Sequence, residues 1–278
     1  DALGGSALAG ALDAPLLLVD TTSVPTSVGE ALDELGTTHA IILGGPSAVD
    51  PVVEGQLKAA MGAGSTVDRI AGADRYETAR KVAARAITEL GGTFDGVAFV
   101  ATGANFPDAL AAGPIAAAVA MPIYLVSNTA GDVATLDAMV TDSVSYANVL
   151  GGEAVVTTGT FGDLVSEFGV GRVRRLAGAN RYETAADVAT YGVEIAKLGW
   201  DGVGIATGEA FPDALAAGAT LARFETVLVL SRPASLPTET GSVLSLNRAA
   251  IDDVHYFGGL GALSADVRAA VRQIIEAP

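Results

Sequence analysis

Cysteine is absent from the 278 residues, lysine occurs only as Lys58, Lys81 and Lys197, and histidine only as His39 and His255. Without cysteine there is neither a disulfide framework nor a thiolate metal site. That fits a cytoplasmic protein or a surface protein that does without disulfides. The two histidines lie too far apart in sequence to suggest a metal cluster, and no cofactor or metal is expected. Aromatics make up 5% and charged residues 17%, while half of the chain is hydrophobic, mostly Ala, Val and Leu. Wholesale disorder is excluded and a sizeable core is expected. Its small side chains suit tightly packed helix-on-sheet layers better than a deep aromatic cleft. The formal net charge of −16 argues against general binding to nucleic acid or an anionic membrane, since phosphate contacts need a basic face. A polyanionic partner would have to meet a local arginine cluster inside a repulsive field.

Between Ala109 and Val126 no charged residue appears, roughly the length of a membrane span. Gly113, Pro114 and Pro122 interrupt this run, and its counterparts elsewhere contain Asp13, or Arg223 with Glu225. It is read as a buried helix followed by a buried strand, with no membrane span. No signal peptide is read in the chain as given.

What the chain has in abundance is repetition. Arg69-Ile-Ala-Gly-Ala-Asp-Arg-Tyr-Glu-Thr-Ala79 returns as Arg175-Leu-Ala-Gly-Ala-Asn-Arg-Tyr-Glu-Thr-Ala185, 106 residues later. Ala101-Thr-Gly followed by Phe106-Pro-Asp-Ala-Leu-Ala-Ala-Gly113 returns as Ala206-Thr-Gly and Phe211-Pro-Asp-Ala-Leu-Ala-Ala-Gly218. A glycine pair recurs at Gly44-Gly45, Gly151-Gly152 and Gly258-Gly259, each 107 residues apart. Asp1-Ala2-Leu3 aligns with Asp108-Ala109-Leu110 and Asp213-Ala214-Leu215. Three units are therefore expected: 1–68, N-terminally incomplete, then 69–174 and 175–278. The first unit should lack its first helix and first strand.

Each complete unit reads alike. Asp74 or Asn180 caps a helix, with Glu77 or Glu183 three residues on as a capping box. An apolar strand follows, Val97–Val100 or Val203–Ala206, ending in Thr-Gly. Phe-Pro-Asp-Ala-Leu starts the next helix, with proline tolerated in the first turn and aspartate facing the positive helix end. Further strands are expected at Leu16–Val19, Ile123–Val126 and Val227–Leu230, then at Ile41–Leu43, Asn148–Leu150 and His255–Phe257, and at Val67–Ile70 and Val173–Leu176. Continuously apolar strands alternating with helices predict α/β units with parallel sheets covered on both faces, linked by right-handed crossovers.

These motifs resemble the signature of the cell-wall-binding repeat 2 family of Gram-positive surface proteins, and the resemblance covers essentially the whole chain. It implies three tandem Rossmann-like or Toprim-like units in a pseudo-threefold arrangement. It also implies a non-catalytic module, secreted to the cell surface, that anchors noncovalently to an anionic secondary cell-wall polymer beside a fused or associated functional domain. The family's segment proposed to line the polymer site is matched by Pro15-Leu16-Leu17 and by Pro122-Ile123-Tyr124; the third copy, Thr226–Leu230, lacks the proline.

Several residues admit two readings. The glycine pairs could cradle phosphate, yet none completes Gly-x-Gly-x-x-Gly, and a strand-to-helix turn needing positive φ is the favoured reading. Asp108 and Asp213 have no neighbouring nucleophile or base in their motif, so a structural role is expected. The matched Arg69, Arg75, Arg175 and Arg181 could clamp the anionic groups of a polymer or hold the repeats together from within. Substantially buried guanidinium groups at Arg75 and Arg181 are expected under the second reading. Tyr76 and Tyr182 are read as packing residues. Two other functions stay open: a structural surface-layer or assembly protein, and an enzyme that binds a nucleotide or sugar nucleotide at a Rossmann-like switch point.

Overall fold

The computed structural model describes residues 2–127 and 133–277; Asp1, whose alignment marks the first unit, lies outside them. In the first unit a 3-10 turn at Ala2–Gly4 leads into α1 (Gly5–Ala11), then α2 (Thr26–Glu34), β1 (His39–Leu43), α3 (Pro51–Met61) and β2 (Thr66–Ile70). The second runs α4 (Arg75–Leu90), β3 (Val97–Thr102), α5 (Pro107–Ala111), α6 (Gly113–Ala118), β4 (Ile123–Val126), α7 (Val133–Thr141), β5 (Tyr146–Leu150), α8 (Thr158–Phe168) and β6 (Val173–Leu176). The third runs α9 (Arg181–Ile195), β7 (Gly199–Thr207), α10 (Pro212–Arg223), β8 (Thr226–Ser231), α11 (Thr238–Asn247), β9 (Asp253–Phe257) and α12 (Ala265–Ile275).

The strands form three separate sheets, ordered β1-β2, β4-β3-β5-β6 and β8-β7-β9, and every pairing is parallel. The apolar run from Ala109 is a buried helical pair followed by buried β4. Among the described residues no helix is long and apolar enough to cross a membrane. Pro114 explains why the second unit has two short helices where the third has one of 12 residues. Proline has no N–H to donate back along the helix, whereas the equivalent Ala219 does. β2 and β6 include Arg69 and Arg175, so the arginine that opens each sequence motif closes the preceding sheet.

One expected strand does not form. Leu16–Val19 forms no strand and pairs with none among the described residues. The equivalent β4 and β8 each pair with a central strand, β3 or β7, and no such strand stands in the first unit among the described residues. A strand is defined by the neighbour its N–H and C=O groups bond to, so apolar sequence alone is insufficient.

The units meet through α1, α6 and α10, which pack on one another. Equivalent residues Ser6, Gly113 and Gly218 converge there. Gly10 of α1 lies against the Ala117 backbone so closely that a Cβ would overlap the carbonyl. The main hydrophobic core is continuous through this junction, joining Leu8, Val82, Ile115, Leu215 and Leu221. Small residues on three helices thus allow close backbone approach and a shared interior.

Candidate functional site

The functional candidates gather at the carboxyl ends of the parallel strands. There Asp74 Oδ1 accepts from the Glu77 N–H at 2.8 Å while Glu77 Oε2 accepts from the Ala73 N–H at 2.7 Å. Asn180 and Glu183 reproduce the arrangement, with Asn180 Oδ1 accepting from Tyr182 and Glu183 N–H at 3.0 and 3.2 Å. These boxes fix the first helical turn and so aim the residue after the cap. Arg75 Nη1 donates to Gly103 O at 2.7 Å, and Arg181 Nη1 donates to Gly208 O. Both acceptors are the glycine of Ala-Thr-Gly. A side chain at Gly103 would strike the Tyr76 ring, and one at Gly208 would crowd Arg181 and Tyr182. Tyr182 is buried, with the Arg232 guanidinium 4.9 Å from its ring centroid. Arg75 as a residue remains exposed.

The glycine pairs form strand-to-helix turns, with φ of +126° at Gly44, +96° at Gly151 and +110° at Gly258. Their carbonyls point at arginines: Arg69 Nη1 donates to Gly44 O at 2.8 Å and Arg175 Nη1 to Gly151 O at 2.6 Å. In the third sheet, which has no strand beyond β9 among the described residues, Arg268 of α12 donates to Gly258 O at 2.9 Å. Sequence comparison of the opening motifs missed Arg268. Its signal was a glycine pair without an Arg-Leu-Ala-Gly motif after it. Position 268 is equivalent to Phe161 and Glu54, each 107 residues apart. Glu54 pairs with Arg69 at 2.9 Å, the Phe161 ring lies 4.7 Å beneath Arg175, and Arg268 supplies the guanidinium itself.

Asp108 stands under Gly151, where a Cβ would collide with its Oδ2, and Asp213 stands likewise under Gly258. Burial pushes the Asp108 carboxyl above the usual carboxylate range, opposed by the Arg181 charge and a hydrogen bond with Thr184. Asp108 opens α5 in the second unit while Arg181 and Thr184 lie on α9 of the third. The aspartate therefore ties two units together.

The remaining candidates diverge. Ile123 and Tyr124 are 1% and 0% exposed, and Pro122 is buried beside them. The Tyr124 hydroxyl donates to Asp142 Oδ2 at 2.7 Å, and burial raises its pKa far above the usual tyrosine value. Pro15, Leu16 and Leu17 instead line an open apolar cleft in the first unit. His39 pairs with Asp68 at 3.1 Å, and the His255 ring stacks on Phe224. Among the described residues no group of three His, Cys, Asp or Glu side chains is placed to hold a metal ion.

The chain is similar to proteins of Bacillus subtilis and Clostridium difficile. It is 29% identical over 244 residues to the N-acetylmuramoyl-L-alanine amidase LytC of Bacillus subtilis, covering 88% of this chain and 45% of that protein. It is 25% identical over 267 residues to the amidase enhancer of the same organism, covering 96% and 34%. The chain thus spans less than half the length of these curated relatives. Among solved structures, Cwp6 from Clostridium difficile superposes with a TM-score of 0.83 at 22% identity, covering 98% of this chain and 42% of that one. Cwp8 from the same organism gives 0.78 at 24% identity, covering 99% and 46%. The family described as Cell wall binding domain 2 (CWB2) matches residues 1–54, 69–160 and 175–268. Three matches across three similar α/β units leave one assignment: this chain belongs to the cell wall binding domain 2 family and is a cell-wall-binding module.

Proposed function

We propose that the module holds a secreted protein noncovalently on an anionic secondary wall polymer and carries no catalytic activity of its own. The observation that carries this reading is the triple family match over the chain. The strand ends contribute the chemistry. In open α/β sheets ligands settle outside the carboxyl ends of the strands, where Arg75 and Arg181 stand. Each directs one nitrogen at a glycine carbonyl, leaving other guanidinium donors for phosphate or carboxylate groups. Arg69 and Arg175 hold the adjoining turns through the Gly44 and Gly151 carbonyls. Counted as sequence repeats, the binding copies run 1–68, 69–174 and 175–278. A separate functional domain, fused or associated, would supply any wall-directed chemistry, as the amidase names of the two relatives suggest.

A net charge of −16 opposes approach to a polyanion, so each repeat should bind weakly and retention should depend on several engaging one polymer. The test is cosedimentation with purified walls, intact and stripped of their anionic polymer, across a salt series. Binding should fall on stripped walls and with rising salt, and Arg75→Gln with Arg181→Gln should flatten the salt response. Equal retention on stripped walls would redirect the function to peptidoglycan or a protein partner. Release of wall fragments by the purified module would end the non-catalytic reading.

A further inference from the structure

One arginine at the carboxyl ends of the strands is held in place yet donates to nothing. Arg232 follows β8 directly, and its guanidinium carbon lies 4.9 Å from the Tyr182 ring centroid. The backbone beneath it is pinned: the Ser231 hydroxyl donates to Arg232 O at 3.0 Å, and the Gly208 N–H donates to Ser231 O at 2.9 Å. Tyr182 is only 5% exposed, so its ring is a fixed platform. Stacking on a ring occupies the face of a guanidinium and leaves its in-plane N–H donors open. Among the described residues Arg232 makes no hydrogen bond and meets no carboxylate within 4.0 Å.

Arg181 reaches the same tyrosine. A Cβ built on Gly208 would stand 3.1 Å from Arg181 Cδ and 3.2 Å from the Tyr182 ring. Burial and the Glu209 charge raise the Tyr182 hydroxyl pKa, while the Arg232 and Arg181 charges act against them. Both cations therefore stand within electrostatic reach of one ring. The neighbouring carboxylates are committed to other donors: Glu239 Oε1 accepts from Asn180 Nδ2 at 2.6 Å, and Glu209 is hydrogen-bonded to the Tyr182 hydroxyl. The Asn180–Glu239 bond also brings together the first turns of α9 and α11, and α11 begins without a side-chain cap. Two positive helix ends add to the field of the two guanidinium groups. In sequence the second arginine is peculiar to the third unit. Position 232 is equivalent to Thr21 and to Asn128, the latter outside the described residues, and neither carries charge.

We propose that Arg232 and Arg181 form a two-pronged oxyanion site on the Tyr182 platform, which makes the third repeat the tightest-binding copy of the module. The ligand is a phosphate or carboxylate group of the wall polymer, so the assignment rests on the polymer reading above. Arg232 supplies in-plane donors for a bidentate contact, and Arg181 keeps one nitrogen on Gly208 O while its others meet the same group. Repeats of unequal strength give binding an order: the third engages first, and the others then act on a polymer already held close.

Cosedimentation of the whole 278-residue chain with intact and polymer-stripped walls tests this through two variants of equal charge loss. Arg232→Gln should weaken binding to intact walls by about fivefold or more. Arg172→Gln removes an arginine that also lies over a tyrosine ring, 5.5 Å from the Tyr146 centroid, but at the amino ends of β5 and β6. It should change binding by less than about twofold. Both arginines are exposed, so neither variant disturbs the core. If the two variants behave alike, the Arg232 assignment is overturned while the polymer reading stands. If the parent chain binds intact and stripped walls equally, the polymer reading fails and the assignment falls with it. Competition separates the two sources of the oxyanion. Displacement of the parent by a glycerol phosphate oligomer identifies phosphate, displacement by an oligogalacturonate identifies carboxylate, and displacement by neither overturns the site.

Discussion

Gly113 and Gly218 face each other where the three units meet: a Cβ built on Gly113 would stand 3.2 Å from Gly218 Cα, and one on Gly218 would stand 2.7 Å from Ser6 Oγ. These are equivalent positions of the Phe-Pro-Asp-Ala-Leu helices, so the closeness of the units is set by three residues with almost no side chain. Gly218→Val should therefore lower unfolding stability by about 1–3 kcal/mol through overpacking. Urea unfolding measures it. A neutral result would mean that the helices can separate without cost, and the shared core argument would fail.

The arginine-to-glycine bond is made from two different places in the fold, which permits a swap. Arg175→Met should cost about 1.5–3 kcal/mol, the value of a charged hydrogen bond to a buried carbonyl. Adding Phe161→Arg puts a guanidinium where Arg268 stands in the third unit and should restore at least half of the loss. Thermal unfolding of the single and double variants decides this. No recovery would show that α8 does not present position 161 as α12 presents 268.

Asp108 supplies a pH signature. Its folded pKa lies above the usual carboxylate value because of burial, with Arg181 and Thr184 only partly compensating. A raised carboxyl pKa means that the ionised form detracts from stability at neutral pH. That loss is relieved as pH falls through the raised pKa to the unfolded value. Asp108→Asn resembles the protonated state, so its stability relative to the parent should be most favourable at pH 7 and decline towards about pH 4. A difference that is flat with pH would refute the assignment.

Asn180 caps α9 and also donates from Nδ2 to Glu239 Oε1 at 2.6 Å, joining α9 to α11. Asn180→Ala should cost about 1 kcal/mol for the cap, with exchange rising in the first turns of both helices. Asp74→Ala should cost about as much, yet raise exchange in α4 alone. Matching profiles for the two variants would remove the bridging role.

The repeat period, the helix caps, the positive-φ glycine turns and the parallel α/β plan were legible because each is local or periodic. Apolar runs and capping boxes act over a few residues, and a repeat aligns its own copies. β4 and β6 begin and end where the sequence places them, and the other strands that form run one to five residues longer, β7 the most. Long-range pairing was not legible. Leu16–Val19 has the sequence of a strand, yet it pairs with no strand among the described residues. Arg268 could not be matched to Arg69 and Arg175 by alignment, because it reaches the same carbonyl from a helix. The roles of Gly113 and Gly218 likewise depend on residues more than a hundred positions away. Sequence determines which segments can be helix or strand through local sterics and burial pattern. Which backbone groups find partners, and which carbonyl each arginine reaches, is settled only when the three units close on one another.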